Sequence, residues 1–190
     1  MLQIKVEKNV QGIEGLTIIV PTVHADNRGY FLETYNHAEM LAAGIDTVFV
    51  QDNQSVSHKG VLRGLHCQKQ FPQGKLVRAI WGAFYDVAVD LRRESSTFGK
   101  TFGIILSGEN QKQLYIPEGF AHGFLALEEN TIFSAKVTDF QHKDDGNGII
   151  WNDPDLGIQW PLELLDGHPL IISEADRRRQ SFRDYCHCVL

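Results

Sequence analysis

Cysteine is scarce in this chain, confined to Cys67, Cys186 and Cys188. An odd, sparse count supplies no disulfide framework and fits a reducing cytoplasm. Positive charge is also short, with 18 Lys plus Arg against 24 Asp plus Glu. The net charge of −6 repels polyanions on average, which argues against nucleic acid or an anionic membrane as the main partner. No apolar run exceeds about five residues, where roughly 20 are needed to span a bilayer. The opening Met-Leu-Gln-Ile-Lys lacks the apolar core of a signal peptide. Walker, Gly-x-Gly-x-x-Gly, Gly-x-Ser-x-Gly and Cys-x-x-Cys motifs are all missing. What remains is 43% apolar and 22% charged, with 17 Gly and 6 Pro. That is a globular mixture, neither a disordered tail nor a collagen-like rod. The expectation is one soluble, cytoplasmic domain over residues 1–190.

The charge is unevenly placed. Between Asp52 and Asp86 there is no acidic residue, yet Lys59, Arg63, Lys69, Lys75 and Arg78 all fall there. That stretch carries +5 and leaves −11 for the rest. Chance clustering on a solvated face would produce it; so would a local anion site for a small phosphorylated ligand.

The pattern along the chain is mostly strand. Residues 16–23, 30–35 and 47–50 read as strands, and 76–91 as two strands turning near Gly82. Val87, Val89 and Leu91 alternate with Ala88 and Asp90, as in a strand with one buried face. Further strands fall at 104–106, 113–116, 123–127 and 132–137, with a loop at 143–148 before another at 149–151. Asn36 caps a short helix that Gly44 ends, and Ser173 caps a second beginning Glu174-Ala175-Asp176. Many short strands at this spacing give an all-β sandwich or barrel with short peripheral helices.

Two histidines stand in informative settings. His66 ends Gly60-Val61-Leu62-Arg63-Gly64-Leu65-His66, and His122 lies in Pro117-Glu118-Gly119-Phe120-Ala121-His122-Gly123. The second segment resembles the Pro-x-Gly-x-x-His motif of the cupin barrels. The first resembles their other motif only in part, because Gln68 stands where a metal-binding cupin carries a histidine. No metal set is therefore assembled. His122 is either a satisfied interior histidine or a ligand contact. Cys186-His187-Cys188 reads as a frayed terminus rather than a metal cluster.

A longer resemblance covers residues 13–184. It is carried by Asp26-Asn27-Arg28-Gly29-Tyr30-Phe31, Phe49-Val50-Gln51-Asp52-Asn53, the His66 block and Gln73-Gly74-Lys75-Leu76-Val77-Arg78. Asp86-Val87-Ala88-Val89-Asp90-Leu91-Arg92, the His122 block and Trp151-Asn152-Asp153-Pro154 continue it in order. The whole resembles the dTDP-4-dehydrorhamnose 3,5-epimerase family. The resemblance implies a cupin-type jelly-roll barrel and a homodimer exchanging N-terminal strands, without metal or organic cofactor. It implies a dTDP-4-keto-6-deoxysugar as substrate, epimerised next to its carbonyl. His66 would be the general base, a role suited to imidazole, whose ordinary pKa lies near working pH. Asp176 would orient it, although capping of the last helix would also account for an acid there. Lys75 would hold the enolate oxygen. Arg28, Glu33, Gln51, Asn53, Arg63 and His122 would line the sugar and nucleotide site, Arg63 suiting the pyrophosphate.

One departure bears on the chemistry. The family's acid tyrosine falls at Ala135, in Phe133-Ser134-Ala135-Lys136, and a nearby aromatic falls at Gln141. Alanine donates no proton. Tyr30 and Tyr35 are possible substitutes, and Cys67 beside His66 suggests packing. The alternatives are epimerisation at C3 alone, another nucleotide 4-keto-deoxysugar as substrate, or a cupin that binds a nucleotide sugar without turning it over.

Overall fold

The structure, a computed structural model, describes residues 3–187. One sheet runs β1 (Ile4–Lys8), β2 (Thr17–Pro21), β10 (Gln113–Ile116), β7 (Lys75–Trp81), β12 (Thr131–Val137), β5 (Gln51–Ser57). The other runs β13 (Gly146–Gly148), β6 (Val61–Gln68), β11 (Phe120–Ala126), β8 (Ala83–Asp90), β9 (Thr101–Ser107). A short β14 (Ile171–Ile172) adds to β6 in parallel. The result is the expected jelly roll. A separate hairpin, β3 (His24–Asp26) and β4 (Gly29–Phe31), precedes α1 (His37–Ala42). Two short helices, α2 (Glu174–Arg177) and α3 (Phe182–His187), close the chain. Among the described residues no helix is long and apolar enough to cross a membrane.

The core has three layers. Between the sheets, Val77, Ala79, Phe84, Ala88, Leu114 and Phe124 pack together. Outside the second sheet, Leu62, Leu65, Val87 and Val89 meet Ile149, Trp160 and Tyr185 of the C-terminal segment. Outside the first sheet, Ile19 and Leu76 meet Met40 and Ile45. Each such side chain contributes about 1.5–3 kcal/mol by leaving water. The C-terminal layer corrects the reading of β8. Its alternation suggests one buried face, but both faces are covered and Asp86 and Asp90 are fully buried.

Other differences have local causes. Residues 47–50 lie outside any strand, and pairing begins at Gln51 in β5. That edge strand, Gln-Asp-Asn-Gln-Ser-Val-Ser, is too polar to show an apolar pattern. Strand 30–35 shrinks to β4 because Asn36 turns the chain, its side chain accepting from the Ala38 and Glu39 amides. Helix α3 carries Cys186 and His187 at its end, so the described terminus is helical rather than frayed; Cys188 lies outside the described residues.

Asp90 shows how the barrel end is fixed. Its carboxylate accepts from Arg92 Nε at 2.9 Å, Ser95 Oγ at 2.7 Å and Thr97 Oγ1 at 2.7 Å. Burial opposes its charge, but these bonds outweigh burial and hold its pKa down to about 2. A carboxylate held below its unfolded value of ~3.9 stabilises the fold above that pH and loses the effect as pH falls toward 2. Asp90→Asn should therefore cost roughly 1–3 kcal/mol at neutral pH, where its amide faces donors. Urea unfolding at pH 7 and pH 3 checks this; the gap to wild type should narrow at the lower pH.

Candidate active site

Strands β6 and β11 bring the two histidines side by side, with His66 and His122 as direct cross-strand partners. Glycine makes this approach possible. A side chain at Gly64, whose φ is +135°, would place its Cβ 2.5 Å from Gly123 Cα. His66 Nε2 lies 2.6 Å from Asp176 Oδ1, and the Gly64 amide faces Asp176 Oδ2 at 3.5 Å. Ser173 Oγ accepts from the Asp176 amide and caps α2, which leaves the Asp176 side chain free for His66. Burial works against the Asp176 charge, but the His66 hydrogen bond and the imidazole charge outweigh it and hold the carboxyl below its ordinary range. A carboxylate so placed orients the imidazole.

His66 opens on a cavity of about 450 Å³ between the sheets. Lys75, His122, Phe124, Phe133, Ala135 and Asn53 are among its lining. Burial pushes Lys75 down to about 8, although the charges of Cys67 and Asp86 favour its ammonium. His122 is both interior and cavity-lining: its Nε2 meets Asp86 Oδ1 at 2.7 Å. Burial holds it toward the neutral form despite Asp86, whose Oδ2 is buried without a partner. Burial also pushes the Cys67 thiol up, which fits packing rather than proton handling.

The cavity lining includes Arg63, Lys75, Lys143 and Arg179 and no carboxylate, so it favours an anion. Only two of these cations come from the basic stretch. Lys59 pairs with Asp166, Lys69 lies over the Tyr185 ring, and Arg78 lines another recess. Gln68 Nε2 donates to the Phe71 and Phe140 carbonyls. Among the described residues no group of three or more His, Cys, Asp or Glu could hold a metal ion.

The profile described as dTDP-4-dehydrorhamnose 3,5-epimerase matches residues 11–184. The chain belongs to that family. A dTDP-4-dehydrorhamnose 3,5-epimerase of Methanothermobacter thermautotrophicus is 53% identical over 172 residues, covering 90% of this chain and 92% of the relative. One of Pseudomonas aeruginosa is 50% identical over 173 residues, covering 90% and 93%. A dTDP-6-deoxy-D-glucose-3,5-epimerase of Legionella pneumophila, solved in complex with dTDP-4-keto-L-rhamnose, superposes with a TM-score of 0.89. It is 43% identical and the match covers 95% of this chain and 93% of that one.

Not every residue suggested by the family resemblance reaches the cavity. Asn53, Arg63, His66, Lys75 and His122 line it. Asp176 lies behind His66. Gln51 sits at the rim, donating to Asn53 Oδ1 and accepting from the amide of Gln141, which lines the cavity. Arg28 and Glu33 do not line this chain's cavity. Arg28 pairs with Asp26 in the β3–β4 hairpin, and Glu33 accepts from Asn36 before α1.

The family's acid position is equally clear. Ala135 sits in β12, paired with Asn53 on one side and Val77 on the other. Phe133, Ala135 and Val137 form an apolar stripe on the sheet facing His66, with Asn53 and Ser55 beside it. Neither tyrosine substitutes within the chain. Tyr30 Oη accepts from Gln111, Tyr35 Oη contacts His37, and neither lines the cavity.

Two further groups escape the sequence reading. Asp86 had a signal, an acid in the interior of an otherwise apolar strand that ends on Asp90. Arg179 had a weaker one, an arginine three residues beyond Asp176 and just past the end of α2.

Proposed function

We propose that this single-domain chain is a cytoplasmic dTDP-4-dehydrorhamnose 3,5-epimerase, and the observation that carries this is the His66–Asp176 pair opening on a cation-lined cavity. The substrate is dTDP-4-dehydro-6-deoxy-D-glucose. His66 removes the hydrogen at C3 or C5 as a proton, and the C–H electrons move toward the C4 carbonyl oxygen. Lys75 holds the charge developing on that oxygen. Water supplies a proton to carbon from the opposite face, His66 gives its own proton back to solvent, and the cycle repeats at the second carbon. Arg63 and Lys143 hold the diphosphate.

A homodimer exchanging N-terminal strands belongs to this reading. The β3–β4 hairpin carries exposed Tyr30 and Phe31 next to Arg28. Exchange would bring Arg28 and Glu33 to the partner's cavity.

The apolar stripe at Phe133, Ala135 and Val137 favours a second reading, epimerisation at one carbon, C3, alone, because no titratable side chain stands on that wall to return a proton opposite His66. Turnover of the 4-keto sugar in D₂O separates the two. Deuterium at C3 and C5 at comparable rates is the outcome expected of the 3,5-epimerase. Deuterium confined to C3 would replace it with the second reading.

A further inference from the structure

Arg179 belongs to neither the family resemblance nor the mechanism above, yet it stands at the centre of the site. It follows Asp176 by three residues, two past the end of α2, and its Nε lies 3.6 Å from Asp176 Oδ1, the oxygen that His66 also uses. That separation is an ion pair rather than a hydrogen bond. The Nε is buried with no hydrogen-bond partner. A Cβ at Gly148, the cross-strand partner of His66 in β13, would meet Arg179 Cδ at 3.3 Å, so the arginine stem packs close against the strand beside the base.

Arg179 also lines both spaces that reach the dyad. One is the cavity between the sheets; the other, of about 540 Å³, lies on the α2 side and is shared by His66, Asp176 and Ser173. The guanidinium is therefore the nearest fixed positive charge to the carboxylate that orients the base.

We propose that Arg179 is a positioning residue that shares the charge of Asp176 and so keeps His66 in the proton-accepting form toward lower pH. The inference rests on the reading of His66 as the base. Its physical content is a competition. A carboxylate opposite an imidazole favours the protonated ring, and a permanent cation on the same oxygen weakens that pull. The other charges around His66 set the background: Arg63 on its own strand, His122 with Asp86 behind it on β11 and β8, and Lys75 on the facing sheet. His142 and Lys143 face the cavity from the loop before β13. Apart from Asp86, these are basic side chains or imidazoles. Asp176 is then the anion in direct contact with His66, and Arg179 the charge that moderates it.

Two measurements on Arg179→Met and Arg179→Lys test this. In the first, the acid limb of kcat/KM is followed. The Met variant should move it to higher pH by roughly half a unit to one unit with KM little changed, and the Lys variant should largely restore it. In the second, the His66 ring resonances of the ligand-free protein are titrated by NMR, and the Met variant should displace the midpoint in the same direction. The same spectra report whether each variant is folded. An unmoved titration in a folded Met variant overturns the proposal. So does a KM raised roughly tenfold with the acid limb unmoved, which would make Arg179 a substrate contact instead. A displaced titration in a protein that shows no epimerase turnover would instead count against the proposed function and leave this inference standing.

Discussion

Replacing His66 by Asn should lower kcat roughly 10²- to 10⁴-fold, the usual contribution of a positioned general base. The substitution keeps polarity and approximate volume at a half-buried position whose ring already has a partner in Asp176. The fold should therefore survive, and dTDP affinity should change little because the cations lining the cavity remain. Deuterium wash-in at C3 and C5 is the sharper readout, since it reports proton abstraction without requiring inversion. It should vanish in the variant while nucleotide still binds. Persisting exchange would mean that another group takes the proton. If wild type binds nucleotide but shows no exchange, the chain is a binding cupin. Asp176→Asn should cost less than His66→Asn, because the carboxylate acts through the ring. The double variant should be no worse than His66→Asn alone, since residues acting as a unit are not additive.

Much of this site was legible before any coordinates, because its residues lie in short blocks with unusual chemistry. Gly64 and Gly123 flank the histidines, and the close approach of β6 to β11 at these glycines explains why the block is written that way. Asp176 was legible twice over, as a first-turn acid and as the family's partner for His66. Both descriptions fit, since Ser173 performs the capping. What stayed hidden depends on layers that sequence periodicity does not encode. The burial of both faces of β8 follows from the C-terminal segment folding over it, a contact between residues far apart in the chain. The basic stretch pointed to the right charge but only partly to the right residues. Strand alternation sends Lys75 and Arg78 to different faces, and the missing cations, Lys143 and Arg179, come from distant segments. Ala135 was visible as a departure; its surroundings of Phe133 and Val137 were not.

Lys75→Met should separate catalysis from stability in opposite directions. Removing one group that stabilises a developing oxyanion typically costs about 10²- to 10³-fold in rate, and the loss should appear in kcat more than in KM. Stability should move the other way. Lys75 titrates at about 8 in the fold because burial penalises its ammonium, against ~10.4 in the unfolded chain. The unfolded state therefore binds more protons between those values, and wild-type stability rises with pH across that window. Below pH 8 the folded protein carries the full cost of a buried cation, on the order of 3 kcal/mol. Methionine has similar length and no charge, so the variant should unfold at higher temperature than wild type at pH 7, with the difference shrinking by pH 10. The same titration sets an expected alkaline limb for wild-type turnover near pH 8, where the enolate-stabilising charge is lost. Lys75→Arg should carry that limb upward, since guanidinium stays charged, at reduced kcat because its planar head does not reproduce the ammonium's position. A Lys75→Met protein that is less stable than wild type at pH 7 would show that the lysine is a structural cation. An alkaline limb that ignores Lys75→Arg would show that it does not hold the developing charge.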